Sequence, residues 1–293
     1  MRALSACFFV LALVLSGNGA SAAEEEETAS FAIDTTVKVM SDQTRRGISD
    51  SLNDPGAKLS VEVAHKSGLI GLLEVSSVSK KEFTNSDGMN MTVAGGYRFG
   101  DPDRWHFGIG LAGEIFPGAG FVAPHAIDMN TGMPADFSRT TYNSMFAVLE
   151  VGYGPLEGRV LNVLSRTYRG ADTGGVCGQM LATMPDPTRA LQCYARGDQN
   201  SRGSWLFDLD YKYNLTPTTT LNLHGGYQSI KHFSEANFAD FSLGITHRRW
   251  GFDWSADFVA TRVAVRELYV VQDGDSRRRT DINKVVLSVA RRF

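Results

Sequence analysis

The sequence predicts an all-β chain, a transmembrane antiparallel up-and-down β-barrel of about twelve strands with short periplasmic turns and long extracellular loops. Three observations carry this expectation. Segment after segment alternates apolar and polar side chains over about ten residues, the length and period of a tilted membrane strand. The connections between segments switch regularly between long and short, which a soluble sandwich has no reason to do. No apolar run reaches the roughly 20 residues that a spanning helix needs, so a membrane form of this chain is a closed barrel, the other structure that satisfies its backbone in lipid.

The first residues, "MRALSACFFVLALVLSGNGASAAEEEE", set Arg2 ahead of an apolar run from Ala6 to Leu15 and then small residues. Ala20-Ser21-Ala22 fits the small-x-small pattern of a signal-peptidase site. The expected organisation is a cleaved signal peptide at 1–22, an acidic periplasmic tail at 23–28 and an outer-membrane barrel at 29–293. Cys7 precedes the apolar core, whereas a lipoprotein cysteine would follow it. The chain holds 29 basic and 32 acidic residues; losing Arg2 leaves 28 against 32, a net charge of −4 that gives no reason to expect nucleic acid as a partner.

Alternating segments run through 29–40, 57–67, 68–79 and 88–99. Next, "RWHFGIGLAGEI" sets Trp105, Phe107, Ile109, Leu111 and Ile115 opposite His106, Gly108, Gly110, Ala112 and Glu114. Segments 141–154 and 157–167 follow, the second ("EGRVLNVLSRT") accepting either register. "SWLFDLDYKY" turns Trp205, Phe207, Leu209, Tyr211 and Tyr213 one way and Asp208, Asp210 and Lys212 the other. After 218–228 and 236–247, "GFDWSADFVA" opposes Phe252, Trp254, Ala256 and Phe258 to Asp253, Ser255 and Asp257, and 283–293 completes the set. Long connections fall at 41–56, 80–87, 117–140, 168–201, 229–235 and 263–282, short ones at 66–68, 100–104, 154–158, 214–218 and 248–251. Tyr97, Phe99, Trp105, Tyr153, Tyr211, Tyr213, Trp250 and Phe252 gather beside the short turns, where a periplasmic aromatic girdle would lie.

The final stretch, "KVVLSVARRF", sends Val285, Leu287, Val289 and Phe293 toward lipid and Lys284, Ser288 and Arg292 inward. Arg291 stands at an outward position and is expected to snorkel toward headgroups. A terminal aromatic at the end of such a strand is the expected address for the barrel-assembly machinery, which with periplasmic chaperones would be this chain's folding partners; Phe293 is the expected signal.

Sorting strands by their apolar faces gives the expected pore lining: Asp34, Lys38, Glu62, Glu74, Arg98, Glu114, Glu150, Asp208, Asp210, Lys212, Asp240, Asp253, Asp257 and Lys284. Both signs face inward with acids ahead, which predicts a wet interior with a slight cation preference. A structural network of paired charges plugging the barrel is the competing reading. About eight strands give a filled interior and about sixteen an open channel, so twelve predicts a narrow or loop-constricted pore, with the long loops at 117–140 and 168–201 as candidates to form the constriction. The expected outer contacts are membrane lipid and lipopolysaccharide, and Arg277, Arg278 and Arg279 in "QDGDSRRRTD" are candidates for lipopolysaccharide phosphates beside the plainer reading of solvated loop charges.

Cys177 and Cys193 share one Gly-, Pro- and Asp-rich stretch, and in an exported chain a disulfide closing that loop is expected. Gly108–Gly113 spells a dinucleotide fingerprint, but inside a strand its glycines read as relief for curvature or lumen width. Asp273 and Asp275 lack the twelve-residue calcium loop with its closing Glu. No metal, cofactor or catalytic residue is expected, although inward His106 and His224 keep an outer-membrane lipid hydrolase as the weakest alternative.

One stretch adds a resemblance. Ser41-Asp42, Arg46-Gly47-Ile48-Ser49, Pro55 and the Ser67-Gly68 turn, within residues 40–78, resemble the opening of the TorF family of porins. Gln43, Thr44 and Arg45 stand where that family has aromatic residues. The resemblance implies an outer-membrane porin-like barrel, and together with the polar lumen the expected function is a channel for passive diffusion of small polar solutes or ions. A non-conducting structural or adhesion barrel with functional loops is the alternative.

Overall fold

The computed structural model describes residues 30–101, 103–128 and 130–293; the expected signal peptide and acidic tail lie outside them. Twelve strands close an antiparallel barrel. They are β1 (Phe31–Met40), β2 (Gly56–His65), β3 (Leu69–Ser77), β4 (Met89–Gly100), β5 (Trp105–Ile115) and β6 (Ser144–Tyr153). There follow β7 (Leu156–Val163), β8 (Trp205–Thr216), β9 (Thr219–Ser229), β10 (Phe238–Arg249), β11 (Phe252–Val263) and β12 (Lys284–Arg292). Each pairs with its neighbours in sequence, and β1 closes the ring by pairing with both β2 and β12. Up-and-down order puts every long connection at one end and every tight turn at the other.

Period two sets the two faces of the wall. Ile33, Val39, Ile109, Leu111, Leu149, Leu209, Ile245, Val285 and Leu287 stand exposed on the outside, an apolar belt that suits lipid and would be costly in water. At the short-turn end the belt becomes aromatic. Trp105 meets Tyr153 at 5.1 Å between ring centroids, Phe99 meets Phe107 at 5.6 Å, and Tyr211 stacks on Tyr213 at 6.3 Å. Arg291 does more than snorkel: its guanidinium lies 5.6 Å over the Phe252 ring and 5.1 Å over the Phe293 ring, a cation–π contact within the girdle.

The open register of 157–167 is decided by pairing. Leu156 sits opposite outward Tyr153 and Val160 opposite outward Leu149, so Glu157, Arg159, Leu161 and Val163 face inward. The sequence tolerates both registers because Leu161 and Val163 lie under folded loops rather than in water, so both faces of that end are apolar.

The longest connection folds into a cap. A π-helical turn (Thr173–Cys177) leads into α1 (Gly178–Thr183) and then α2 (Thr188–Tyr194). A disulfide joins Cys177 to Cys193 with Cα atoms 5.5 Å apart, stapling the π-helical turn to α2. Val176, Met180, Ala190 and Tyr194 form an apolar core with the loop residues Tyr168, Ile230, Phe233 and Val265. That core continues into the barrel through inward Phe146, Val163 and Leu206. Two hairpins, Phe121–Ile127 with Pro134–Thr140 and Val270–Asp273 with Ser276–Arg279, complete this end.

Candidate functional site

The first long connection folds into the barrel. Thr44–Arg45 pairs with Ile48–Ser49 in a minimal hairpin whose tip, Arg46-Gly47, lies at φ +49° and +76°. Glycine is required at the second position twice over. Its backbone is left-handed, and a Cβ there would strike Thr261 Oγ1 on β11 and press on Asp240 of β10. The resembling motif therefore builds a loop that crosses the lumen to the opposite wall.

Each motif residue helps hold that loop. Ser41 Oγ accepts a hydrogen bond from the Leu287 amide at 3.0 Å. Asp42 accepts from Ser49 Oγ at 2.6 Å and Ser51 Oγ at 2.8 Å, and pairs with Lys284 Nζ at 2.5 Å. Ile48 is buried, and the Ser49 amide donates to Thr280 O at 2.9 Å. Pro55 ends the loop one residue before β2. The tip carries two guanidiniums: Arg46 donates to Asp208 of β8 at 2.7 Å, while Arg45 pairs with Glu114 of β5 and lies 3.7 Å from Glu74 of β3. Thus Arg45 joins the wall by charge.

The remaining inward positions form a charged wall. Lys58 meets Glu74 at 3.0 Å, Arg98 donates to Glu150 at 2.7 Å, and Arg159 donates to Asp210 at 2.6 Å. Arg248 donates to Asp253 at 2.8 Å, and Arg292 lies 3.3 Å from the same carboxylate. Asp34 accepts from Thr36 at 3.0 Å and is the register partner of Glu62, as Lys38 is of Lys58. Asp257 on β11 and Lys212 on β8 also face inward. His224 is held through Nδ1 on Asp210 and Nε2 on Asp240, both at 2.8 Å, so both ring nitrogens are engaged. His106 is buried against Gly152, where a Cβ would collide with its ring. Gly108 of the fingerprint-like run makes room for Glu150, a packing role in the wall.

Above the inward loop lies a cavity of about 850 Å³, roofed by the cap and hairpins, with Ile48, Glu82 and Arg169 among its lining. Arg169, itself at φ +47°, donates to Asp50 of the inward loop at 2.7 Å and stacks 5.2 Å over Phe83 and 5.3 Å over Phe116. Burial pushes the Asp50 carboxyl up, against the pull of Arg169. Burial and the nearby Asp50 hold the Glu82 carboxyl well above the usual range, and its Oε2 has no hydrogen-bond partner among the described residues. In the outer hairpin, Arg278 donates to Asp54 at 3.0 Å and Arg279 to Asp281 at 2.7 Å, while Arg277 is exposed.

Strand alternation reaches only wall residues, so it misses Arg45, Arg169, Asp50 and Glu82, which enter from loops. It also leaves out Arg159 and Glu157 through the ambiguous register. The one available signal was an Arg-Arg-Gly tip in a chain whose inward face is rich in acids.

A closed antiparallel barrel with an apolar, aromatic-rimmed exterior and a charged interior defines the class: an outer-membrane-type β-barrel whose lumen holds its own first loop. Among solved structures the chain is similar to the KdgM porin in complex with disordered oligogalacturonate, at 7% identity over 89% of this chain and 97% of that one, with a TM-score of 0.44. The NanC porin shares 8% identity over 88% of this chain and 98% of that one, with a TM-score of 0.46. OprD of Pseudomonas aeruginosa shares 9% over 92% and 66%, with a TM-score of 0.37. No curated protein matches. The chain belongs to the Gcw_chp family, bacterial proteins of unknown function, whose profile matches residues 24–293.

Proposed function

We propose that the protein is an outer-membrane channel for passive diffusion of small polar solutes or ions, with the loop at 41–55 as its constriction. The observation that carries this reading is how the loop is held. Its tip is fixed by ion pairs to Asp208, Glu74 and Glu114 on three different strands, and by no covalent link. These pairs are largely shielded, with Arg46 at 9% and Glu114 at 4% exposure, so they hold the tip across the lumen, where it narrows the passage left for a solute. The resemblance to the TorF porins, carried by this loop's motif, agrees. The inward strand acids alone would favour cations slightly; Arg45, Arg46 and Arg169 offset them from the loops. Exposed Arg277 fits a lipopolysaccharide phosphate at the outer rim.

Purified protein in planar bilayers is expected to give small discrete conductance steps, and replacing residues 43–51 by a short Gly-Ser linker should enlarge them. Silence at high protein load, before and after that replacement, would sink the channel. It would favour the second reading, a non-conducting barrel that presents its loops, to which the disulfide-stapled apolar cap over the mouth lends support.

A further inference from the structure

Counting inward charges and asking which of them meets water give opposite answers at the short-turn end. The Arg98 side chain is 36% exposed in front of a Glu150 that is 11% exposed. Arg159 is 41% exposed over an Asp210 at 22%. Arg248 and Arg292 are 59% and 60% exposed over a single Asp253 at 11%. In each pair the carboxylate, on a short stem, lies against the strands, and the longer arginine stem folds over it and presents the guanidinium to the lumen. Lys212 is exposed at the same end. Of the exposed acids there, Asp34 and Glu62 are register partners on β1 and β2 and gather on one arc, Asp101 and Asp103 lie in the turn between β4 and β5, and Glu157, 36% exposed, lies 3.5 Å from Arg159.

Asp253 is the sharpest case. Arg248 donates to it from Nε at 2.8 Å and from Nη2 at 3.3 Å, and Arg292 Nε lies 3.3 Å away. Two guanidiniums on one carboxylate leave a local charge of +1. Each guanidinium has five N–H donors, and this single carboxylate cannot occupy them all. Strands β10, β11 and β12 hold the three side chains side by side, so the spare donors belong to a framework that is already ordered.

We propose that this end of the lumen is an anion-contacting surface centred on Arg248–Asp253–Arg292, and that the solutes the channel admits carry carboxylate or phosphate groups. The solute class rests on the channel reading above; the anion site does not. Two oxygens of one carboxylate or phosphate match the spacing of guanidinium N–H donors, and the second arginine supplies a second fork. At Arg248–Asp253–Arg292 the field comes from the two exposed arginines, which share one shielded carboxylate.

Two measurements on the full barrel test this. Reversal potentials across a KCl gradient should show chloride more permeant than potassium, and the R248Q/R292Q double variant should lower that ratio about twofold or more. R249Q, an outward arginine stacked on Trp250, should leave it unchanged. Independently of current, inorganic phosphate should slow arylglyoxal modification of Arg248 and Arg292 in the detergent-solubilised protein, relative to chloride at equal ionic strength, with sites read by mass spectrometry. Potassium-preferring potentials in the parent barrel overturn the solute class, and equal modification rates in phosphate and chloride overturn the anion site. A silent bilayer with phosphate protection intact removes the channel and supports the site.

Discussion

The two halves of this barrel share a wall but not an interior. Toward the long loops, Phe146, Val163 and Leu206 point inward and are buried under a cap with its own apolar core. Toward the short turns, Asn222, Thr246 and Ser255 point inward and bond one another, with Asn222 Nδ2 donating to Thr246 Oγ1 at 3.0 Å and Thr246 and Ser255 sharing a bond of 2.8 Å. The hairpin tip at Arg46-Gly47 marks the boundary. One half is therefore built like a soluble protein core turned inside the wall, and the other as a polar interior of half-buried side chains. A deletion should cost much more in the first, where it opens a cavity, than in the second, where water takes the vacated place.

Substitutions at matched inward positions would break or sharpen this contrast. The largest effect is expected for Phe146→Ala, about 3–5 kcal/mol of stability by urea unfolding in lipid, because the void sits among packed side chains. A loss below about 1 kcal/mol would mean that the long-loop half is wet as well. Replacing Cys177 and Cys193 by serine should cost about 3 kcal/mol, as for loops of similar length, and should make 164–204 sensitive to proteases. If the cap stays resistant, its apolar core suffices without the staple.

A smaller, pH-dependent effect is expected at Glu82. Its folded carboxyl is held well above its ordinary value near 4.5 by burial and Asp50, so the folded state binds the proton more tightly than the unfolded chain. That contribution is complete below the ordinary value and is lost as pH rises through the raised one. Raising pH should thus weaken the packing of residues 78–88 over the inward loop, and Glu82→Gln should flatten the dependence. An identical pH profile in the variant would remove Glu82 from the cause. The smallest effect is expected for Asn222→Ala, within about 0.5 kcal/mol. A loss comparable to that at Phe146 would erase the distinction between the halves.

Most of the wall was legible because period two survives wherever one face meets lipid and the other meets water. Ile33, Leu111 and Leu287 identify their strands by that rule alone. It fails at Leu161 and Val163 for a physical reason: their inner face is dry, so both faces are apolar and the register has no signature. The charged wall was legible as positions but not as pairs. Which base covers which acid depends on neighbours across the sheet, as with Arg159 of β7 on Asp210 of β8. The inward course of 41–55 was not legible: the stretch reads as one more long connection, since hydrogen bonding of Asp42 to Ser49 and Ser51 leaves no periodic trace.

The inward loop also constrains the order in which the molecule can be made. Residues 41–55 follow β1 directly, yet their partners include Asp208, Thr261, Thr280 and Lys284, far along the chain. The loop can make these contacts only once β8, β11 and β12 are in place beside it, so its docking is a strongly non-local step, and such steps slow folding.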